Sequence, residues 1–152
     1  MVKVMATGTF DLLHMGHIFY LKEAKKLGDT LSVVVATDST VRRLKHEPVN
    51  PEDVRLSLIK ELRTVDEAVL GHEDDMYRIV ETIQPDVIAL GFDQIHKEKN
   101  IEQELRKRRL KTRVVRLPEY SDGSDLEGTR RIIRKIISAY EFQKSMERLE
   151  GL

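Results

Sequence analysis

Five short runs dominated by Val, Ile, Leu and Ala punctuate this chain, and amphipathic stretches separate them. The runs fall at residues 2–6, 31–36, 68–70, 87–90 and 113–117. Each is too short for a helix and, for the most part, too continuously apolar for a strand with one wet face. That leaves strands buried on both sides. The stretches between them read as helices. One covers residues 16–27, with Ile18, Leu21 and Ala24 at helical spacing, and Gly28 and Asp29 end it. A short one opens at Asp38 and Ser39 and reaches Leu44; another runs from Pro51 to Leu62. Two more occupy residues 77–83, stopped by Pro85, and 101–109. Strands alternating with helices build βαβ units, and those close only as a parallel sheet with helices on both faces. The expectation is one α/β domain over residues 1–152: a doubly wound, five-stranded parallel sheet of Rossmann-like type. A long helix over residues 128–149 follows it.

Composition narrows the function. With 152 residues, 40% of them apolar, the chain can bury a real core. Its 26 basic and 26 acidic residues cancel, which disfavours a nucleic-acid binder. The absence of cysteine removes disulfides, thiolate catalysis and Cys-ligated zinc together, and suits a reducing compartment. No apolar run approaches the roughly 20 residues of a membrane helix, and no signal peptide is visible. A cytoplasmic protein acting on small molecules is expected, with neither nucleic acid nor membrane as partner.

In a doubly wound sheet, ligands bind beyond the carboxyl ends of the strands, where the winding direction switches. The unusual residues cluster in those loops. After the first strand come Thr7-Gly8-Thr9-Phe10-Asp11-Leu12-Leu13-His14-Met15-Gly16-His17. Two histidines three apart, split by a glycine, stand where a loop enters a helix. A helix start offers unpaired N–H groups and partial positive charge to phosphate. Gly8 is expected to permit a tight turn off the strand, and Gly16 a close backbone approach. The imidazoles of His14 and His17 can donate to phosphoryl oxygens whose charge grows in a transition state. Zinc fits less well, because helical zinc pairs use i, i+4 spacing. Nor is the loop a Walker A sequence or a dinucleotide fingerprint.

Gly8-Thr9-Phe10-Asp11 followed by His14-Met15-Gly16-His17 resembles the signature of the cytidylyltransferase-like nucleotidyltransferases, and the likeness runs along essentially the whole chain. The resemblance implies transfer of a nucleoside monophosphate onto a phosphate-bearing acceptor, with release of pyrophosphate. It also implies catalytic roles for His14 and His17 at the α-phosphorus, and nucleotide contacts from Thr9, Phe10, Gly16 and the intervening Met15. Gly91-Phe92-Asp93-Gln94 matches a family Gly-x-Asp that contacts the nucleoside, which gives Asp93 that role. Lys45 matches a phosphate-contacting lysine. Arg55 matches an arginine of the next helix, or simply pairs with a helix carboxylate.

The loop 119–127 leads into the last helix, where relatives hold the β- and γ-phosphates with Ser and Thr hydroxyls. Thr129 matches one of these, while Glu127-Gly128 departs from the usual serine; Arg130 or Arg131 would add charge, and Tyr120 would stack on or bond the nucleotide. The segment 63–69 resembles a family segment and reads as structural. The cluster Arg106 to Arg109 reads as a solvated helix end. His46, His72 and His96 show no ligand spacing. Magnesium is expected to arrive with the triphosphate and to need no protein metal motif.

Among branches of the family, the pattern is most similar to the archaeal-type FAD synthases, which join the AMP of ATP to FMN. Some relatives of that type carry cysteines near the carboxyl end, and this chain carries none. CDP-glycerol synthesis from CTP and glycerol 3-phosphate, a sugar-phosphate adenylyltransferase, and a nucleotide-binding regulator without turnover stand as alternatives. A flavin ring would need a flat apolar slot, for which Phe10, Phe92, Tyr120 and Met15 are the candidates. Along the last helix, Ile132, Ile136, Ala139, Phe142, Met146 and Leu149 form a stripe. Its first turns are expected to cover the sheet and its distal part to pack in a homodimer.

Overall fold

The computed structural model describes residues 1–124, 126 and 128–151. Asp125 and Glu127, part of the loop that precedes the last helix, therefore lie outside the described residues. Eleven elements follow one another: β1 Lys3–Gly8, α1 Met15–Lys25, β2 Thr30–Val35, α2 Asp38–Leu44, α3 Glu52–Lys60, β3 Glu67–Leu70, α4 Arg78–Ile83, β4 Val87–Leu90, α5 Glu98–Lys107, β5 Arg113–Arg116 and α6 Thr129–Glu150. The strands form one parallel sheet in the order β3-β2-β1-β4-β5. Winding runs outward from β1 in one direction and then, from β4, in the other. The switch point therefore lies between β1 and β4.

Alternation along the strands divides the core in two. Val4 and Ala6 of β1, Leu31, Val33 and Val35 of β2, and Val87 and Ala89 of β4 face one side, where Leu21, Ala24 and Ile59 of α1 and α3 cover them. Met5, Val34, Ile88, Leu90 and Val114 face the other, under Ile79, Val80 and Ile83 of α4 and Ile101 and Leu105 of α5. Both faces are dry, which is why the strands read as continuous apolar runs. The turn between α1 and β2 passes so close to the first strand that a Cβ on Gly28 would lie 2.6 Å from the Val2 carbonyl oxygen.

Two expectations require correction. No residue of α6 is buried, so its first turns do not cover the sheet. Ile132 instead faces Leu13, Met15 and Ile18 at the start of α1. Farther along, Ile136, Ile137, Tyr140, Phe142, Met146 and Leu149 are all exposed. The basic cluster at the end of α5 is not uniformly solvated either. The Arg108 guanidinium reaches Asp75, Glu81 and Glu104 and lies over the Tyr77 ring, so it ties α5 to α4.

Candidate active site

The loop from β1 into α1 is held in a single shape by contacts that no local pattern announces. Phe10 and Leu12 both adopt left-handed backbone, with φ of 54° and 50°. Such conformations are unfavourable for residues with side chains and persist only where the surroundings impose them. Here the imposition is visible. Asp11, between them, is buried, and its carboxylate accepts the backbone N–H groups of Val49 and Asn50 at 2.6 and 2.9 Å. The Thr129 hydroxyl donates to the Asp11 carbonyl at 2.9 Å, which fastens the start of α6 to the loop.

Arg55 is completely buried and bonds the carbonyls of Thr9, Ala36 and Asn50 and the carboxylate of Asp38. Its partner is thus a carboxylate of α2, not of its own helix. Gly8 is not required for a tight turn, since its φ is not positive. It leaves room for Phe10, whose ring carbons would lie 2.9 Å from a Cβ there.

The Phe10 ring is 2% exposed, so it belongs to the core and cannot line a ligand slot; only its backbone remains available. The ring meets the edge of His17 at a centroid distance of 5.5 Å and stacks on Tyr20 at 6.3 Å.

His14 is the N-cap of α1, and its Nδ1 accepts the Gly16 N–H at 3.1 Å. The His17 Nδ1 accepts the His14 N–H at 3.3 Å. The pair is a reciprocal capping arrangement built from imidazoles. That explains the three-residue spacing, which suits capping and not zinc. Because each Nδ1 accepts, the ring hydrogen of each resides on Nε2, aimed away from the helix backbone. The two rings stack at 3.8 Å. Burial lowers the pKa of His14, and burial, the charge on His14 and Lys45 together lower that of His17 to about 3. Both imidazoles are neutral donors at neutral pH.

Lys45, at the end of α2, brings its Nζ to 3.3 Å from the Thr9 hydroxyl, so the cation predicted from sequence does reach this loop. Gly16 lies in the first turn of α1, and Met15 is exposed beside it. Asp93 follows β4 as an exposed carboxylate, close enough to Tyr20 to act on its hydroxyl electrostatically. Tyr120 is half-buried; its ring tilts on Phe19 of α1 and its hydroxyl donates to Asp122. Phe92 is exposed. A hollow of about 450 Å³ lies beside His14, lined by Leu13, Met15, Ile18, Leu126 and Ile132. Among the described residues, no three carboxylate or imidazole groups gather as a metal cluster.

Sequence reasoning missed Arg116. Its guanidinium donates to the carbonyls of Gly91, Phe92, Gln94 and His96, and it pairs with Glu98. One side chain on β5 thus gathers the whole loop that carries Asp93. A strand-borne arginine beside a Gly-containing loop gives no sequence signal of this.

Neutral imidazole donors at a helix start, a lysine beside them and a carboxylate across the switch point can offer hydrogen bonds and positive charge to phosphate oxygens and an acceptor to a sugar hydroxyl. The Cytidylyltransferase-like family model matches residues 5–142, and the chain belongs to that family of nucleotidyltransferases. Its relatives are more particular. It is 61% identical over 137 residues to the FAD synthase of Aciduliprofundum boonei, across 90% of this chain and 91% of that one. It is 51% identical over 138 residues to the FAD synthase of Methanobrevibacter ruminantium, across 89% and 91%. A solved structure, described as a lipopolysaccharide core biosynthesis protein from Thermoplasma volcanium, superposes with a TM-score of 0.78. It is 50% identical and covers 79% of this chain and 98% of its own.

Proposed function

We propose that this chain is an FMN adenylyltransferase: it transfers AMP from ATP to FMN, giving FAD and pyrophosphate. The observation that carries the reading is the 61% identity to an FAD synthase across nine-tenths of both chains. In this reading an FMN phosphate oxygen attacks the ATP α-phosphorus. The bond to the bridging oxygen of the β-phosphate breaks, and pyrophosphate leaves. The Nε2–H groups of His14 and His17 donate to the oxygens that gain charge at the α-phosphorus. Thr9, the Phe10 backbone, Met15 and Gly16 line the nucleotide's path. Lys45 and Thr129 serve the outer phosphates, Asp93 the ribose and Tyr120 the nucleoside. No side chain becomes covalently attached, because positioning and charge stabilisation suffice for phosphoryl chemistry.

ATP enters as its magnesium complex. The enzyme works in the cytoplasm, as one domain per chain, and the exposed apolar side chains of α6 pair two chains as a homodimer. The apolar hollow beside His14 favours an acceptor with a flat ring over glycerol 3-phosphate, which is polar throughout. The test sets ATP with FMN against CTP with glycerol 3-phosphate at equal magnesium, with products identified by mass. FAD should form efficiently. CDP-glycerol without FAD would overturn the assignment, and failure of both pairs would point to a sugar phosphate.

A further inference from the structure

β4 ends at Leu90, whose partner across the ladder is Arg116, the last residue of β5. The guanidinium therefore stands where the chain leaves the sheet to form the loop that carries Asp93. Its Nη1 lies 3.0, 3.1 and 3.0 Å from the carbonyl oxygens of Gly91, Phe92 and Gln94. Nη2 donates to the His96 carbonyl and Nε to the Glu98 carboxylate, both at 2.5 Å. Four carbonyls from residues 91–96 thus turn onto one cation, and the two hydrogens of Nη1 are shared among three of them. The loop is also tied to β1. The Gln94 side-chain amide donates to the Thr7 carbonyl at 3.0 Å and accepts the Gly91 N–H at 3.0 Å.

Asp93 is the residue this arrangement brackets. Its carboxylate is exposed and makes no hydrogen bond among the described residues. Where that carboxylate stands is therefore decided by the backbone on either side of it, and there Phe92 and Gln94 are both tied to a single nitrogen atom. We propose that Arg116 is a positioning residue for the nucleoside: it holds Asp93 at the switch point and, through that carboxylate, sets the affinity for ATP. The inference rests on the reading above that Asp93 receives the ribose. Arginine suits the task by geometry and not by charge alone. Its five N–H groups form a rigid planar fork that reaches several carbonyls at once, whereas a lysine ammonium has three donors on one atom. The Arg116 side chain is 28% exposed and Phe92 and Asp93 are exposed, so water can take its place at these carbonyls. Removing it should free the loop and leave the sheet intact.

Arg116→Met and Arg116→Lys test this in the full chain, beside Asp93→Ala and the double variant of Arg116→Met with Asp93→Ala. Steady-state FAD formation gives KM and kcat, and calorimetry gives the Kd for ATP, each below the variant's own Tm. Arg116→Met should raise Kd and KM for ATP about tenfold, the size of one lost hydrogen bond to a charged group. Its kcat should stay within about threefold of wild type, as for a contact common to ground and transition states. Arg116→Lys should lie nearer to the methionine variant than to wild type, and it carries the same cycle if Arg116→Met does not fold. Added to Asp93→Ala, Arg116→Met should change KM for ATP by less than about twofold, because the group it positions is already gone.

A full further rise in the double variant would overturn the proposal. So would a fall in Tm with ATP affinity unchanged in both single Arg116 variants, or a loss of kcat alone. If Asp93→Ala leaves KM for ATP unaltered, the ribose reading fails and the proposal with it; if only the Arg116 variants leave it unaltered, the proposal alone fails. The pinning itself is judged without ligand. The Gln94 N–H donates to the Gly91 carbonyl at 3.2 Å, and its hydrogen exchange should quicken in Arg116→Met while the amides of β1 and β4 keep their protection. Equal exchange at Gln94 in variant and wild type would overturn the proposal whatever the nucleotide result.

Discussion

Arg55→Met probes the contact that shapes the catalytic loop, and the structure gives its size. The guanidinium is wholly inaccessible, makes bonds of 2.7–2.9 Å to three carbonyls, and bonds Asp38 at 2.7 Å. Methionine fills much of the same volume but supplies no donor. The Asp38 side chain, 17% exposed, keeps its charge without its partner. Breaking a buried pair from one side costs about 3–5 kcal/mol. For a chain of this size that lowers Tm by roughly 6–20 °C.

A pH signature accompanies the loss. Burial alone would raise the pKa of Asp38, but the hydrogen bond and charge of Arg55 outweigh it and hold the carboxyl below its ordinary 3.8. A group with a depressed pKa stabilises the fold fully above its unfolded value, and that stabilisation is lost as pH falls through the folded value. The deficit of the variant should therefore be full at pH 7 and shrink below about pH 4. Urea denaturation across pH, with Asp38→Asn and the double variant closing a mutant cycle, measures it. A destabilisation under about 1 kcal/mol, or one independent of pH in the acid range, would refute the argument that the Arg55–Asp38 pair anchors this loop.

His14→Ala and His17→Ala should each lower kcat by roughly 10²–10³-fold, with much smaller changes in ATP affinity; near-full kcat in either, by pyrophosphate release, would remove that residue from the chemistry. Because the pKa of His17 falls from 6.5 to about 3 on folding, the unfolded chain binds a proton the fold refuses between those values. Wild-type stability should then fall with decreasing pH there by up to about 1.4 kcal/mol per unit, and His17→Asn should remove that portion of the slope in acid denaturation curves. Asp93→Ala should raise KM for ATP more than it lowers kcat, as expected for a ribose contact present in ground and transition states alike; a pure kcat defect in steady-state assays would reassign it. Phe142→Glu, on the exposed face of α6, should convert the proposed dimer to monomers by light scattering, and a wild type already monomeric would count against the pairing.

The five strands and their helices were legible because each apolar run carries its own evidence: burial on two faces leaves no polar position to alternate. The place of the histidine pair at a helix start was legible for a similar reason, since both residues lie within one helical turn. What the sequence hid are polar side chains that serve distant backbone. Arg55 reaches Thr9 across 46 positions, Tyr20 reaches Ala89 across 69, and Gln94 reaches Thr7 across 87. A residue's type announces that it can donate, but its partner is fixed only when the sheet assembles. The α6 stripe misled for a related reason. Its periodicity shows that one face is apolar, but not what that face meets.

The left-handed Phe10 and Leu12 carry a further consequence. Backbone of this kind costs of order 1–3 kcal/mol per residue, and here the cost is met when the chain folds and Asp11, Arg55 and Thr129 lock the loop. The site therefore meets its nucleotide already ordered, and little ordering entropy remains to oppose binding. At Phe10 and Leu12, fold stability and catalytic readiness thus pull in opposite directions. Substituting Leu12 with glycine would relieve strain and favour the folded state locally, while it loosened the frame that aims both imidazoles.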